Sequence, residues 1–228
     1  MAAEKAIVQR SHIVCLDFET GGLKATKNPI TQVAVQSFRI DTLEEISRYT
    51  DYCQKYDDKL IYEQGALDYT HITMHDIDNG VPVKQLVKNL CEEFEKANIA
   101  NNFRKKPILL GHNIAFDISF LRQIFNHCKV DLGKYLHCQD DEQGNSYPIF
   151  FDTMLMSQLK WADDPTMTSF KLEVCCEKAG IALYDAHDAQ NDVSATKALF
   201  IYLTNHLRTG AGVSEQSEQA RFRSTFQF

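Results

Sequence analysis

Four carboxylates and one histidine, carried by three short segments, are the residues whose types and spacing suit chemistry. The first segment, I-V-C-L-D-F-E-T-G-G-L over residues 13–23, holds Asp17 and Glu19. Side chains alternate along a strand, so these acids project from one face while Leu16 and Phe18 project from the other. Two carboxylates side by side at the end of a covered strand repel each other and lose hydration, and a cation between them relieves both costs. The plain alternative is a frayed strand end with both acids in water. For this pair alone the two stand level.

The second segment, L-L-G-H-N-I-A-F-D-I-S-F-L over 109–121, opens a helix at Asp117 directly after a short apolar strand. At helical spacing Asp117 shares the core-facing stripe of Phe120, Leu121 and Ile124. Taken by itself it is better explained as an acid favoured by the helix dipole. The third segment, Y-D-A-H-D-A-Q-N-D-V-S-A-T-K-A-L over 184–199, carries His187 and, five residues on, Asp192. Asp192 lies on the side of Ala195, Thr196 and Leu199. Asp188 suits a helix N-cap, and a lone histidine beside it is ordinarily a cap or surface residue. Together the segments say more than each does alone. Four acids at a strand end or on inward-facing helix positions, with no Lys or Arg close beside them, form the oxygen-rich set that hard divalent cations such as magnesium take and share with phosphates.

The elements that must position these acids can be read from hydrophobic period. Residues 12–18, 30–40 and 45–53 read as three strands, and Gly21-Gly22, Asn28-Pro29 and Asp41 mark the turns of an antiparallel meander. Val83, Leu86, Val87, Leu90, Cys91 and Phe94 then recur at helical spacing, which predicts a helix over 82–97. Ile108 to Leu110 reads as a buried strand, followed by a helix with Phe116, Phe120, Leu121, Ile124, Phe125 and Cys128 on one face. The polar stretch 138–147 is expected to be a surface loop. Phe151 to Trp161 and Phe170 to Lys178 read as helices, the second started by Thr168 or Ser169 and stopped at Gly180. A last helix spans about 188–207. Strands first, then helices interleaved with strand, indicate an α/β domain around a mixed sheet.

The bulk composition bounds this picture. With 228 residues, 44% hydrophobic and 24% charged, the chain suits a single globular domain. We expect residues 1–208 to form it and 209–228 to be a flexible tail. Seven cysteines in irregular positions suit reduced, buried thiols, and no apolar run is long enough to span a membrane. Met1 to Arg10 has no apolar segment suited to secretion, so a cytoplasmic protein is expected. A net charge of −7 argues against a broad basic face coating a duplex, yet suits an enzyme that grips a strand end through metal ions.

In this order the three segments resemble the DEDDh, or DnaQ-like, 3′–5′ exonucleases, a family that includes polymerase proofreading subunits and ribonuclease T. The family's D-x-E-T-x-G-L is matched by Asp17, Glu19, Thr20, Gly22 and Leu23. Its H-N-x-x-F-D is matched by His112, Asn113, Phe116 and Asp117, and its H-x-A-x-x-D by His187, Ala189 and Asp192. Segments 66–73, a His-containing turn, and 169–181 also look like the family, and the resemblance covers about residues 12–205. Gly21 departs from it, since many members carry a threonine or another small residue there.

The resemblance implies a ribonuclease H-like fold, with an antiparallel meander and parallel strands in one sheet flanked by helices. It implies that Asp17, Glu19, Asp117 and Asp192 hold two magnesium or manganese ions at the terminal phosphate, with Asp17 bridging them and His187 as general base. Nucleoside 5′-monophosphates would leave from single-stranded or frayed 3′ ends of DNA or RNA. Thr20, Gly21 and Gly22 would meet the terminal 3′-hydroxyl, Leu23 would wedge against the last base, and Asn113 would touch phosphate or support the ligands. DNA replication and proofreading are settings the resemblance suggests.

Three other expectations stand beside this one. A catalytically silent binding or scaffolding module of the same fold would bind strand ends without shortening them. A zinc protein is hinted at by His127-Cys128, His137-Cys138 and Cys175-Cys176, but adjacent ligands lack the gap that zinc sites use. Gln219, Phe222 and Phe226 resemble loosely the terminal peptides that dock replication proteins onto a sliding clamp, so a polymerase or sliding clamp is a candidate partner of the tail.

Overall fold

The computed structural model describes residues 12–98, 106–140, 142, 146–183 and 188–209. Its chain order is β1 Ile13–Thr20, β2 Ile30–Phe38, β3 Glu45–Tyr52, α1 Gln64–Thr70, α2 Met74–Asn79, α3 Val83–Lys96, β4 Ile108–Gly111 and α4 Ile114–His127. There follow β5 Cys138–Asp140, β6 Ser146–Pro148, β7 Phe150–Asp152, α5 Thr153–Lys160, α6 Leu172–Ala179 and α7 Ala189–Thr209. The main sheet has five strands in the order β3-β2-β1-β4-β7. The β1–β2–β3 portion is the antiparallel meander expected from the turns, and β4 and β7 run parallel to β1. This is the mixed α/β sheet expected from the sequence.

Both faces of β1 are covered, as its apolar run requires. Val14, Leu16 and Phe18 join one core with Leu90 and Phe94 of α3 and Leu121 and Phe125 of α4. Ile13 and Cys15 face the other way, into a core with Val193 and Phe200 of α7. Because the strand alternates, Asp17 and Glu19 continue the row of Ile13 and Cys15, toward α7. Burial of these two layers supplies most of the driving force, about 1.5–3 kcal/mol for each large aliphatic or aromatic side chain fully removed from water. All seven cysteines are free thiols. Among the described residues no helix is long and apolar enough to cross a membrane.

Several local expectations are corrected. Phe151 and Asp152 do not begin a helix but belong to β7, whose partner is β4 through Leu109–Phe150 and Gly111–Asp152. That pairing is long-range and leaves no local period to read. Asp152 instead caps α5, accepting from the Met154 N–H at 2.9 Å. The stretch 138–147 is not wholly loop, since Cys138–Asp140 pairs antiparallel with Ser146–Pro148; residues 141 and 143–145 lie outside the described residues. Helix α6 starts at Leu172 and has no cap from Thr168 or Ser169. The Phe170 carbonyl is bonded to His112 Nε2 at 2.7 Å, which anchors that residue just ahead of the helix.

Two short helices escape the hydrophobic period altogether. Helix α1 has 7 residues and α2 has 6, too few for a pattern to declare itself. Helix α2 is held at its start by a capping box, in which the Thr73 side chain accepts from the Asp76 N–H and the Asp76 side chain from the Thr73 N–H. The turn read at 66–73 falls where α1 ends at His71, in the left-handed region with φ 57°.

Candidate active site

Three carboxylates from two elements meet at one point. Asp17 and Glu19 come from the end of β1 and Asp192 from the start of α7. One oxygen from each lies within 4.8 Å of the other two. Among the described residues this is the one group of three or more acidic, histidine or cysteine side chains close enough to share an ion. The paired His-Cys and Cys-Cys positions contribute to no such group there.

The environment sharpens the case for a cation. Glu19 is 9% exposed, and burial, then the charges of Asp17, Asp192 and Asp188, push its carboxyl up to about 9. Burial, then Asp192 and Asp188, push Asp17 up to about 8. Carboxylates so disfavoured as anions are matched by a positive charge in their midst. The donors are all hard oxygens, so the residues fit a divalent cation of the magnesium type.

Asp117 stands beside this group rather than within it. It lies in the first turn of α4 and is 3% exposed. Its Oδ1 accepts from the main-chain N–H of Phe18, the residue between the two acids of β1, at 3.0 Å. Burial, then the charge of Asp17, holds its carboxyl well above the usual range. Asn113 sits at the head of α4 in the left-handed region, φ 63°, a conformation that asparagine tolerates better than most. Its N–H donates to Asp152 Oδ1 at 3.0 Å, which ties the end of β4 to the end of β7. His187 lies outside the described residues, as does the tail with Gln219, Phe222 and Phe226.

The Thr20–Leu23 turn is tightly built. The Thr20 hydroxyl donates to the Gly22 carbonyl at 2.8 Å. Gly21 donates its N–H to Pro29 and accepts from the Glu63 N–H, so both its main-chain groups are engaged within the protein. A Cβ on Gly21 would stand 2.8 Å from Tyr62 Cδ1 and 3.2 Å from Pro29 Cδ. This explains glycine where a larger residue was the family expectation: here the Tyr62 ring fills the space. Leu23, at 80% exposed, projects from the turn into solvent.

Sequence reasoning passed over Gln32. It pairs across the sheet with Glu19 and is 5% exposed. Its side chain binds both Asp188 and the Ala189 N–H at the start of α7. A glutamine among Ile30, Val33 and Val35 of β2 was the signal available, and Gln36 in the same strand gives the same one. Asp188 is an N-cap as expected, accepting from the Gln190 and Asn191 N–H groups at 3.1 Å each.

Comparison with known proteins agrees with this geometry. The RNase_T (Exonuclease) family model matches residues 14–200. The DNA polymerase III PolC-type of Halalkalibacterium halodurans is 27% identical over 187 residues, covering 82% of this chain and 11% of that protein. Escherichia coli Exonuclease I in complex with a dT13 oligonucleotide superposes with a TM-score of 0.67 at 23% identity, covering 86% of this chain and 41% of that one. The zinc ion bound form of the E. coli ExoI–ssDNA complex gives 0.68 at 24% identity, covering 88% and 42%. The chain therefore spans less than half the length of the proteins it matches. The likeness to the solved structures establishes the fold, with the mixed five-stranded sheet and its flanking helices.

Proposed function

The chain belongs to the RNase_T exonuclease family, and on that premise we propose that it is a divalent-metal-dependent 3′–5′ exonuclease acting on single-stranded or frayed ends. The observation that carries this reading is the convergence of Asp17, Glu19 and Asp192, with ligand oxygens within 4.8 Å of one another, in a site that raises the pKa of two of them. Asp17, Glu19 and Asp192, with Asp117 beside them, would hold magnesium or manganese, two ions by the family's pattern. A metal bound there would neutralise charge on the phosphate and lower the pKa of a nucleophilic water.

The chain's own residues supply the rest. His187 takes the proton of the attacking water, since imidazole is the side chain that ordinarily exchanges a proton near neutral pH. A bond forms from the water oxygen to phosphorus and the bond from phosphorus to the 3′ oxygen breaks. The products are a nucleoside 5′-monophosphate and a strand shorter by one residue. The projecting Leu23 side chain is suited to part the last base from its neighbour, which favours unpaired ends. The complexes of E. coli Exonuclease I with dT13 and with ssDNA support single-stranded DNA as the first substrate to try.

The test is shortening of 5′-labelled single-stranded DNA and RNA by the wild type and by Asp17→Ala, with magnesium and with EDTA. Stepwise loss from the 3′ end, abolished by the substitution and by chelation, is expected, and the two substrates are ranked in the same assay. Strands bound but left intact by the wild type would instead favour a silent binding module.

A further inference from the structure

The acids of the site outnumber the three that converge, since Asp188 lies close enough to Asp17 and Glu19 to raise the pKa of both. Asp188 is not one of the three converging acids, and both its oxygens are engaged in hydrogen bonds. Its Oδ1 accepts two N–H groups of the first turn of α7, from Gln190 and Asn191. Its Oδ2 accepts from Gln32 Nε2 at 3.2 Å. The other end of the same amide, Gln32 Oε1, accepts from the Ala189 N–H at 3.2 Å. Gln32 thus grips two consecutive residues at the start of α7 with one planar group.

The grip reaches a ligand through one further bond. The main-chain N–H of Asp192 donates to the carbonyl of Asp188 at 3.0 Å, so the residue that Gln32 holds is the one from which Asp192 hangs. On the other side, Gln32 is the cross-strand partner of Glu19 and lies on the same face of the sheet. A buried amide with its donor and acceptor ends both used specifies one placement of the helix start over β1 and β2, which non-directional apolar contact does not.

Building on the metal-site part of the function proposed above, we infer that Gln32 is a positioning residue of that site. It holds Asp188 out of the ligand group and sets the start of α7 so that Asp192 meets Asp17 and Glu19. Groups that orient ligands without touching the ion are worth about 10–100-fold in metal affinity.

A reversal of the hydrogen bond tests it. Gln32→Ala removes the grip, Gln32→Glu sets two carboxylates against each other, and Asp188→Asn sets two amides against each other. The double variant Gln32→Glu, Asp188→Asn restores every bond, with the polarity reversed only in the one between residues 32 and 188. The carboxylate introduced on β2 then accepts from both the new amide at the cap and the Ala189 N–H. The cap oxygen is kept, and the net charge is unchanged. Manganese binding is read by calorimetry without nucleic acid, alongside thermal unfolding, and the magnesium half-saturation and strand KM are read in the shortening assay.

Each single variant is expected to weaken manganese binding about 10-fold or more and to raise the magnesium requirement with strand KM unchanged. The double variant is expected to recover to within about 3-fold of wild type, on the same scale. Manganese binding by Gln32→Ala equal to wild type overturns the inference. So does a double variant that fails to fold, or that binds no better than Gln32→Glu. A wild type that binds manganese yet shortens no strand sinks the exonuclease reading alone, because the metal readout needs no strand.

Discussion

The main-chain N–H of Phe18 donates to Oδ1 of Asp117 at 3.0 Å, across 99 residues of sequence. Phe18 lies between Asp17 and Glu19, so the first turn of α4 is fastened to the strand segment that carries two of the converging acids. In the function proposed above Asp117 would have two duties: Oδ1 locks α4 to β1, and the carboxylate would help to hold the metal.

Those duties separate in two substitutions. Asp117→Asn keeps an oxygen acceptor for the Phe18 N–H, whereas Asp117→Ala leaves that buried donor unsatisfied at a cost of about 1–3 kcal/mol. Thermal unfolding should place the alanine variant below the asparagine variant. Strand shortening should fall in both, on the order of 10²–10³-fold, as when a preorganised electrostatic group is lost. Equal unfolding temperatures would show that the hydrogen bond contributes nothing to the fold.

The raised carboxylates make the metal-free protein sensitive to alkali. Asp17 and Glu19 titrate near 8 and 9 when folded, against about 4 when unfolded, so between these values the folded state holds more protons. Stability is then fullest below about pH 4 on this account and is lost as pH rises through 8 and 9. In EDTA the urea midpoint at pH 8.5 should lie below that at pH 5.5, and magnesium should narrow the gap. Glu19→Gln should raise stability at pH 8.5 by about 1–3 kcal/mol, or about 2–4 °C in Tm for each kcal/mol. A flat profile in EDTA would contradict the crowding of acids described above.

Much of this was legible because strand alternation and helical period act locally. The meander, the covered β1 strand, α3, α4 and α7 each declare themselves in consecutive residues, and Asp17, Glu19 and Asp117 fall where those periods place them. What escaped depends on distant partners. Strand β7 exists through pairing with β4, and Phe170 is anchored by His112, so neither leaves a mark in its own neighbourhood. Gln32 was missed for the same reason, since its partners lie 156 and 157 residues away. The burial of Asp117 was readable from the helix stripe, but its bond to Phe18 was not.

The two-glycine turn and the α1 helix make a matched pair of tests. Gly22 has φ 155°, and a Cβ there would lie 2.4 Å from Asn28 Nδ2. Asn28 cannot easily yield, because it is buried and its Nδ2 donates to the Ile61 carbonyl at 2.9 Å and to Glu63 Oε1 at 3.0 Å. Gly22→Ala should cost about 2–4 kcal/mol through overpacking and backbone strain, read as a fall in the urea midpoint. A Cβ on Gly65 in α1 would meet nothing within 4 Å. Gly65→Ala should instead stabilise by about 0.4–1 kcal/mol, by restricting the unfolded chain. The same substitution with opposite signs at two sites would exclude a general effect of replacing glycine.

His112 belongs to the motif that carries Asp117, yet its contacts are structural. Nε2 faces the Phe170 carbonyl at 2.7 Å, and a carbonyl only accepts, so Nε2 carries a proton. Nδ1 faces Thr153 Oγ1 at 2.9 Å. Burial lowers the pKa of His112, which favours the neutral ring, and Nδ1 then shares the single Thr153 hydroxyl proton with the Gly111 carbonyl, 3.2 Å from the same oxygen. Because the folded value lies below the unfolded one, this histidine adds stability above about pH 6.5 that is lost as pH falls below it, opposite in sign to the acids. His112→Ala should therefore destabilise by about 2–4 kcal/mol, through the lost packing of the ring and the loss of the donor to the Phe170 carbonyl. Measured at low temperature, where the variant remains folded, manganese binding should stay within about 3-fold of wild type, since affinity follows the carboxylates and their supports. A folded His112→Ala protein that binds no manganese would instead place this histidine among the groups that orient the metal ligands.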